Sequence, residues 1–154
     1  VTLPGDATFA DGATEATTLS LRAGWQIARR APAPSRLEFT AASPFAVRGY
    51  PTGLQAGDAG WFLRAQVEHR IASDRLPAGA AVTPFLFLDA GEAHDFDGRN
   101  HTGQGRLAAA GVGLSSVWRD RVFADAFVAK PLNDVPGISA DGEWSVFARV
   151  GIRF

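Results

Sequence analysis

The feature that most constrains this chain is an alternation of apolar and polar side chains with a period of two, repeated in six stretches. From 17 to 27 the odd positions read Thr17, Leu19, Leu21, Ala23, Trp25 and Ile27. The residues between them are Thr18, Ser20, Arg22, Gly24 and Gln26. Successive side chains of a strand point to opposite faces, so this pattern predicts a strand with one apolar face. The same pattern recurs over 61–71, 82–91, 106–118, 121–132 and 144–154. The chain carries 17 glycines and 9 prolines, spread so often that long helices are disfavoured and strands joined by turns are favoured.

These stretches exceed the roughly 5–6 residues of an ordinary soluble strand. They match the roughly 9–11 tilted residues that carry a strand across a bilayer. The connections also alternate. Only Arg119 and Asp120 follow Trp118, the 72–80 turn is intermediate, and 92–105 and 133–143 are long and polar. Short turns at one end and long loops at the other characterise outer-membrane barrels. The longest irregular stretch, about 30–60, is too long for a simple connection and is therefore a functional candidate.

Charge divides the two faces. Arg22, Arg64, Glu68, Arg70, Asp89, Asp125, Arg149 and Arg153 all fall on one of them. The apolar face has almost no charge, with His69 and Lys130 near strand ends. A soluble β-sandwich also alternates, with its charged face in water, so a sandwich binding module stands as an alternative of another class. Strand length, loop alternation and the aromatic ends of the last strand, Trp144 and Phe154, favour the membrane barrel.

Bulk composition alone hides this. With 154 residues, 46% hydrophobic, 20% charged and a formal net charge of −1, the averages are those of one soluble domain. The absence of a basic excess argues against a nucleic-acid partner. The chain has no cysteine, which excludes disulfides and thiolate metal sites. No leader pattern opens it, and no run approaches the roughly 20 apolar residues of a spanning helix. Six strands are fewer than the about eight that close the smallest such barrels. The expectation is therefore that 1–154 is the C-terminal part of a larger barrel domain, a piece or processed product, as the missing initial Met also suggests.

Reactive constellations are weak. In His94-Asp95-Phe96-Asp97-Gly98-Arg99-Asn100-His101 the glycine falls too early for a calcium loop. Asn100-His101-Thr102 fits a glycosylation sequon that is common by chance. Gly103-Gln104-Gly105 and Gly111-Val112-Gly113 lack the dinucleotide-binding form, and 111 and 113 read as small positions on the charged face. No nucleophile elbow occurs. Glu68, Asp89 and Asp125 share a face as glycosidase carboxylates would, but each has arginines nearby, which points to a charge network. No catalytic residue, metal ligand or cofactor is expected.

A family resemblance enters at Val47-Arg48-Gly49-Tyr50, which looks like the V-R-G-F/Y motif of the outer-membrane translocation and assembly superfamily. Gly57-Asp58-Ala59-Gly60 resembles the G-D-x-G of two-partner secretion transporters, the haemolysin-activation family, where it introduces a strand carrying a glutamate; Glu68 sits accordingly. Phe87-Leu88-Asp89-Ala90-Gly91 resembles the F-x-D-x-G of a following barrel strand. Ala129-Lys130-Pro131-Leu132-Asn133 resembles the A-x-P-L-N ending of the penultimate strand. Phe154 is similar to the terminal phenylalanine that outer-membrane proteins use for assembly. The likeness runs from about 17 to 154. One departure is Ala41-Ala42, where the family often has a glycine pair.

The resemblance implies an all-β fold: an antiparallel transmembrane barrel of about 16 strands, of which this chain supplies about six. The 30–60 loop would fold into the lumen. Its Arg48 would meet Asp89 on the wall as a latch, with Val47, Gly49 and Tyr50 around it and Phe87 and Gly91 flanking the aspartate. Gly57, Asp58, Gly60 and Glu68 would support the loop and the strand after it. Trp144 and Phe154 would belong to the assembly signal. The implied function is export of a secreted partner protein across the outer membrane of a Gram-negative bacterium, without chemistry. Implied partners are that exoprotein, outer-membrane lipid and the barrel assembly machinery. A barrel-assembly factor of the same superfamily is the other reading.

The charged face raises one further expectation. Phe62, Phe85, Phe87, Phe123, Phe127 and Phe147 all lie on it. An open aqueous pore would not expose six phenylalanines, so the returning loop, with Phe45, Val47 and Tyr50, is expected to cover them.

Overall fold

The computed structural model describes the backbone of residues 2–11, 15–27, 38–71, 76, 80–95, 105–119, 121–134 and 143–153, and side chains from 17 onward within those ranges. Seven long strands form one antiparallel sheet: β1 (Thr2–Asp11), β2 (Glu15–Gln26), β5 (Ala59–Arg70), β6 (Ala80–His94), β7 (Leu107–Trp118), β8 (Val122–Pro131) and β9 (Ser145–Ile152). Two short strands, β3 (Phe39–Thr40) and β4 (Ala56–Gly57), pair with each other apart from the sheet. Six of the long strands are those that the alternation predicts. The seventh, β1, is an addition. Pro4 and Gly5 interrupt any alternation there, but β1 is an edge strand with β2 as its neighbour, where a proline is tolerated.

The sheet is a meander. Each long strand pairs with the next, and β2 reaches β5 across the intervening loop. The registers join side chains into rows. One row reads Leu19, Val67, Leu86, Val112, Val128 and Val146 across six strands. That face is bare: Leu86 is 60% and Val146 76% exposed, with Leu21, Leu63, Leu88, Leu114 and Val150 likewise open. A soluble sandwich would bury such a row against a second sheet. Among the described residues no second layer covers it, which is the arrangement of a barrel wall section rather than of a sandwich.

All four tryptophans of the chain mark the rims of this bare face. Trp25 and Trp61 are register partners near the long-loop end, and Trp144 lies at the same end of the sheet, just before β9. Trp118 pairs with Ala80 at the short-turn end. Glu92, on β6 like Ala80, is the register partner of Trp61 on β5. The span from Ala80 to Glu92 rises ~40 Å at about 3.3 Å per residue, or ~30 Å of membrane normal at a tilt of about 40°. That suits an apolar band with aromatic girdles. The exceptions lie near the rims: His69 Nδ1 is 2.9 Å from Thr17 Oγ1, and Lys130 Nζ stands 6.0 Å from the Trp144 ring.

On the opposite, inner face the phenylalanines sit over glycines of the neighbouring strand. Phe85 covers Gly113, Phe87 covers Gly111, Phe62 covers Gly24 and Phe123 covers Gly151; a Cβ at any of these glycines would collide with the ring. The glycines are therefore slots that let large rings lie flat on the sheet. Phe85, Phe87, Phe127 and Phe147 continue as a chain of rings with centroids 6.2, 5.7 and 5.0 Å apart.

Proline also shapes β6. The β5–β6 ladder runs to Glu68 opposite Phe85, then lapses, and resumes as a single bridge between Ile71 and Val82. Pro84 lies in the gap and has no N–H to donate.

Candidate functional site: a loop latched to the inner wall

The segment from 38 to 58 returns across the inner face as two arms. Ala41 N donates to Gln55 O at 2.9 Å and Gly53 N to Ala42 O at 3.0 Å, which zip the arms together. At the tip Ser43 Oγ accepts from the N–H groups of Phe45 and Ala46 at 3.3 and 3.0 Å, a side-chain turn of the kind serine favours. Val47 N then donates to Ala41 O at 2.9 Å, turning the chain back on itself. Ala41 and Ala42, the departure from the family's glycine pair, are fully buried with their methyls accommodated.

The tip brings Arg48 onto Asp89 of β6. Arg48 Nε donates to Asp89 Oδ2 at 2.7 Å and Nη2 to Oδ1 at 2.9 Å, a bidentate fork, and the Arg48 backbone N–H reaches Oδ2 at 3.2 Å. Arg48 is 4% exposed and Asp89 0%. The guanidinium carbon lies 3.5 Å from the centroid of the Phe87 ring, so the cation is held flat on an aromatic face. Nη1 donates to Gln66 Oε1 at 2.9 Å, and Gln66 Nε2 donates to Glu68 Oε2 at 3.1 Å. Glu68 thus joins the cluster through Gln66 without touching the arginine.

A buried pair of this kind gains little net stability, because desolvation offsets attraction, but removing one partner costs about 3–5 kcal/mol. Its physical effect is to fix position. The neighbours do the same. Gly49 has φ +93°, and a Cβ there would stand 3.1 Å from both Ala109 and Ala129 Cβ; the backbone lies directly on β7 and β8. Val47 is fully buried and packs on Gly91. The Tyr50 hydroxyl lies 2.8 Å from Ala108 O and 3.0 Å from Asn133 O, and accepts from the Ala108 N–H at 3.2 Å. Burial pushes its phenol above the usual value, so it stays a protonated donor.

Gly57 and Gly60 are close-approach positions. A Cβ on Gly57 would meet the His94 backbone, and one on Gly60 the Phe39 ring and the Glu92 carbonyl. Asp58 is 6% exposed, and its backbone carbonyl accepts from Gln26 Nε2 at 3.1 Å. Trp144 is 62% exposed, away from the loop. Phe154 lies outside the described residues, as do positions 96–104 of the histidine-flanked loop. Phe45 corrects the expectation made for it: it is 76% exposed, and the segment meets wall rings instead through Arg48 over Phe87 and Phe39 stacked on Phe62. Phe85 and Phe87 are buried, whereas Phe127 and Phe147 are only partly covered.

The roles of four residues escaped the sequence reading. Gln55 is fully buried; its Nε2 donates to Gly105 O at 2.7 Å and its Oε1 accepts from Ala93 N at 2.9 Å. Gln66 receives Arg48. Ser145 Oγ donates to Gly49 O at 2.9 Å, tying the loop to β9. Arg64 Nη1 donates to the carbonyls of Pro44 and Phe45 at 3.3 and 3.0 Å. Uncharged Gln55, Gln66 and Ser145 carry no pattern that distinguishes these roles, and the charge of Arg64 places it on the inner face without naming backbone carbonyls as its partners. A second charge pair stands apart from the loop: Arg149 Nε to Asp125 Oδ2 at 2.7 Å, with Ser115 Oγ donating to Asp125 Oδ1 at 2.7 Å.

A sheet of long strands with a bare aliphatic outer face, tryptophan rims and a charged inner face occupied by a pinned loop defines a wall section of an outer-membrane transport barrel. The chain belongs to the haemolysin secretion/activation protein family ShlB/FhaC/HecB, whose family model matches residues 6–116. No individual characterised protein and no solved structure matches it. The family is one of outer-membrane secretion transporters rather than enzymes.

Proposed function

We propose that residues 1–154 form the C-terminal part of a two-partner secretion barrel that exports one secreted partner protein. The loop around Arg48 is its internal plug and the Arg48–Asp89 pair its latch. The observation that carries this reading is the pair itself. A fully buried carboxylate on a membrane-spanning wall takes its fork from a loop residue rather than from the wall, so the closed position of the loop is specified by charge. Passage of a polypeptide requires the loop to leave.

On this reading the bare face contacts lipid of a Gram-negative outer membrane. The last strand, with Trp144 and Phe154, is the part handed to the barrel assembly machinery, as the family resemblance implies. The pair also gives the loop the one defined docked position from which export starts, so replacing Arg48 with Ala in the full-length protein is expected to lower secretion of the partner at least about tenfold, while heat-modifiable migration shows normal barrel assembly. Undiminished secretion would remove the latch from the mechanism.

A further inference from the structure

The latch carboxylate has two arginines, and they differ in where they come from. Arg48 arrives on the loop. Arg64 belongs to the wall, directly opposite Asp89 in the β5–β6 register. Its Nε stands 3.7 Å from Asp89 Oδ1, and with the loop docked its Nη1 is committed to the carbonyls of Pro44 and Phe45 at the loop tip. On its other side Arg64 faces Arg22 across β2–β5. Like charges directly opposite repel, so Arg22 drives Arg64 toward Asp89. The row continues to Ala109 and Pro131, which bring no charge.

From this arrangement we infer that Arg64 is a stand-in counter-ion: when the loop lifts, it exchanges the loop carbonyls for Asp89, and the wall closes its own ion pair. The exchange resting on our functional reading, Arg64 is a positioning residue for loop release rather than a second clasp. Without it, Arg48 withdraws from a carboxylate that is fully buried in the docked state, and while the loop still covers it that charge has no partner, the expensive way to break such a pair. With it, the carboxylate is never alone, because the two groups are already cross-strand neighbours. The carbonyls that Arg64 gives up belong to residues at the tip, where Phe45 is 76% exposed and can find water. A recess of about 410 Å³ beside the tip, bordered by Arg22, Phe45, Arg64 and Phe127, leaves room for that movement.

A clasp and a stand-in make opposite predictions once Asp89 is varied. Residues 1–154 have no cysteine, so Ala46→Cys, at a position 4% exposed in the docked loop, gives one thiol among them that reacts with a maleimide only after release; any cysteine elsewhere in the full-length protein is replaced by Ser in the parent. The labelling rate is measured on the full-length protein in outer membranes without the secreted partner. Arg64→Met is introduced alone and together with Asp89→Asn. A stand-in predicts that Arg64→Met slows labelling relative to its parent at least about tenfold more with Asp89 intact than with Asp89→Asn, a coupling of about 1.4 kcal/mol. Arg64→Lys, which keeps the charge, should recover much of the rate. An equal change in both backgrounds, or faster labelling on losing Arg64 with Asp89 intact, would make Arg64 an ordinary clasp and overturn the inference. Because labelling is read without export, coupling of the predicted sign with unaltered secretion would sustain the exchange and refute the export role of the loop.

Discussion

At the scale of single residues, the loop is positioned by a few atoms that have no freedom. Gly49 is the sharpest case. Its φ of +93° is a conformation that side chains rarely adopt, and the two alanine methyls at 3.1 Å leave no space for a third. Gly49→Ala should therefore cost about 1–3 kcal/mol of docking and show as faster proteolysis between 38 and 58 in an assembled barrel; unchanged protection would mean the loop is held elsewhere. Tyr50 adds a pH-insensitive anchor. Its raised pKa means that its donor is fully present below the ordinary value of 10.0 and is lost only as pH climbs through the higher folded value. Arg48, Gly49 and Asp89 were legible through the resemblance of 47–50 and 87–91 to family motifs, because charge alone does not single out Asp89 among eight charged residues on the same face. Gln55, Gln66 and Ser145 were invisible, since a neutral polar residue in a loop or on an inner face looks the same whether or not it has a partner.

At the scale of elements, the alternation fixed six strands to within a few residues, because a one-residue slip would move every aliphatic side chain to the wrong face. It failed on β1, where Pro4 and Gly5 break the pattern but an edge position tolerates them. The rows of the sheet make a quantitative claim about β6. Leu86 stands midway between Ala80, level with Trp118, and Glu92, level with Trp61, in the row shared with Val67 and Val112. If the tryptophans mark the two interfaces, Leu86 is at the membrane midplane. Leu86→Arg should then destabilise the barrel by about 2–4 kcal/mol in lipid unfolding titrations, whereas the same change at Leu132, beyond the end of β8, should cost much less. Equal costs at the two positions would place the bilayer elsewhere.

At the scale of the whole molecule, the sheet has two unlike faces: one bare and aliphatic, the other ringed with phenylalanine, charge and a returned loop. Near-neutral composition conceals this because the two kinds of side chain alternate along the same strands. The loop is attached to five strands at once, through Asp89 and Ala93 on β6, Gln66 and Arg64 on β5, Ala108 on β7, Ala129 on β8 and Ser145 on β9. Such a plug is rigid where it sits and must detach as a unit to open a path. The direct test is the reactivity of Ala46→Cys while the barrel works. With the secreted partner co-expressed and crossing the membrane, labelling of this buried position should accelerate at least about tenfold over the resting barrel and return to the resting rate when export stops. A thiol that stays protected while the partner is secreted at full rate would contradict the account, because the polypeptide would then be passing a loop that never leaves Asp89.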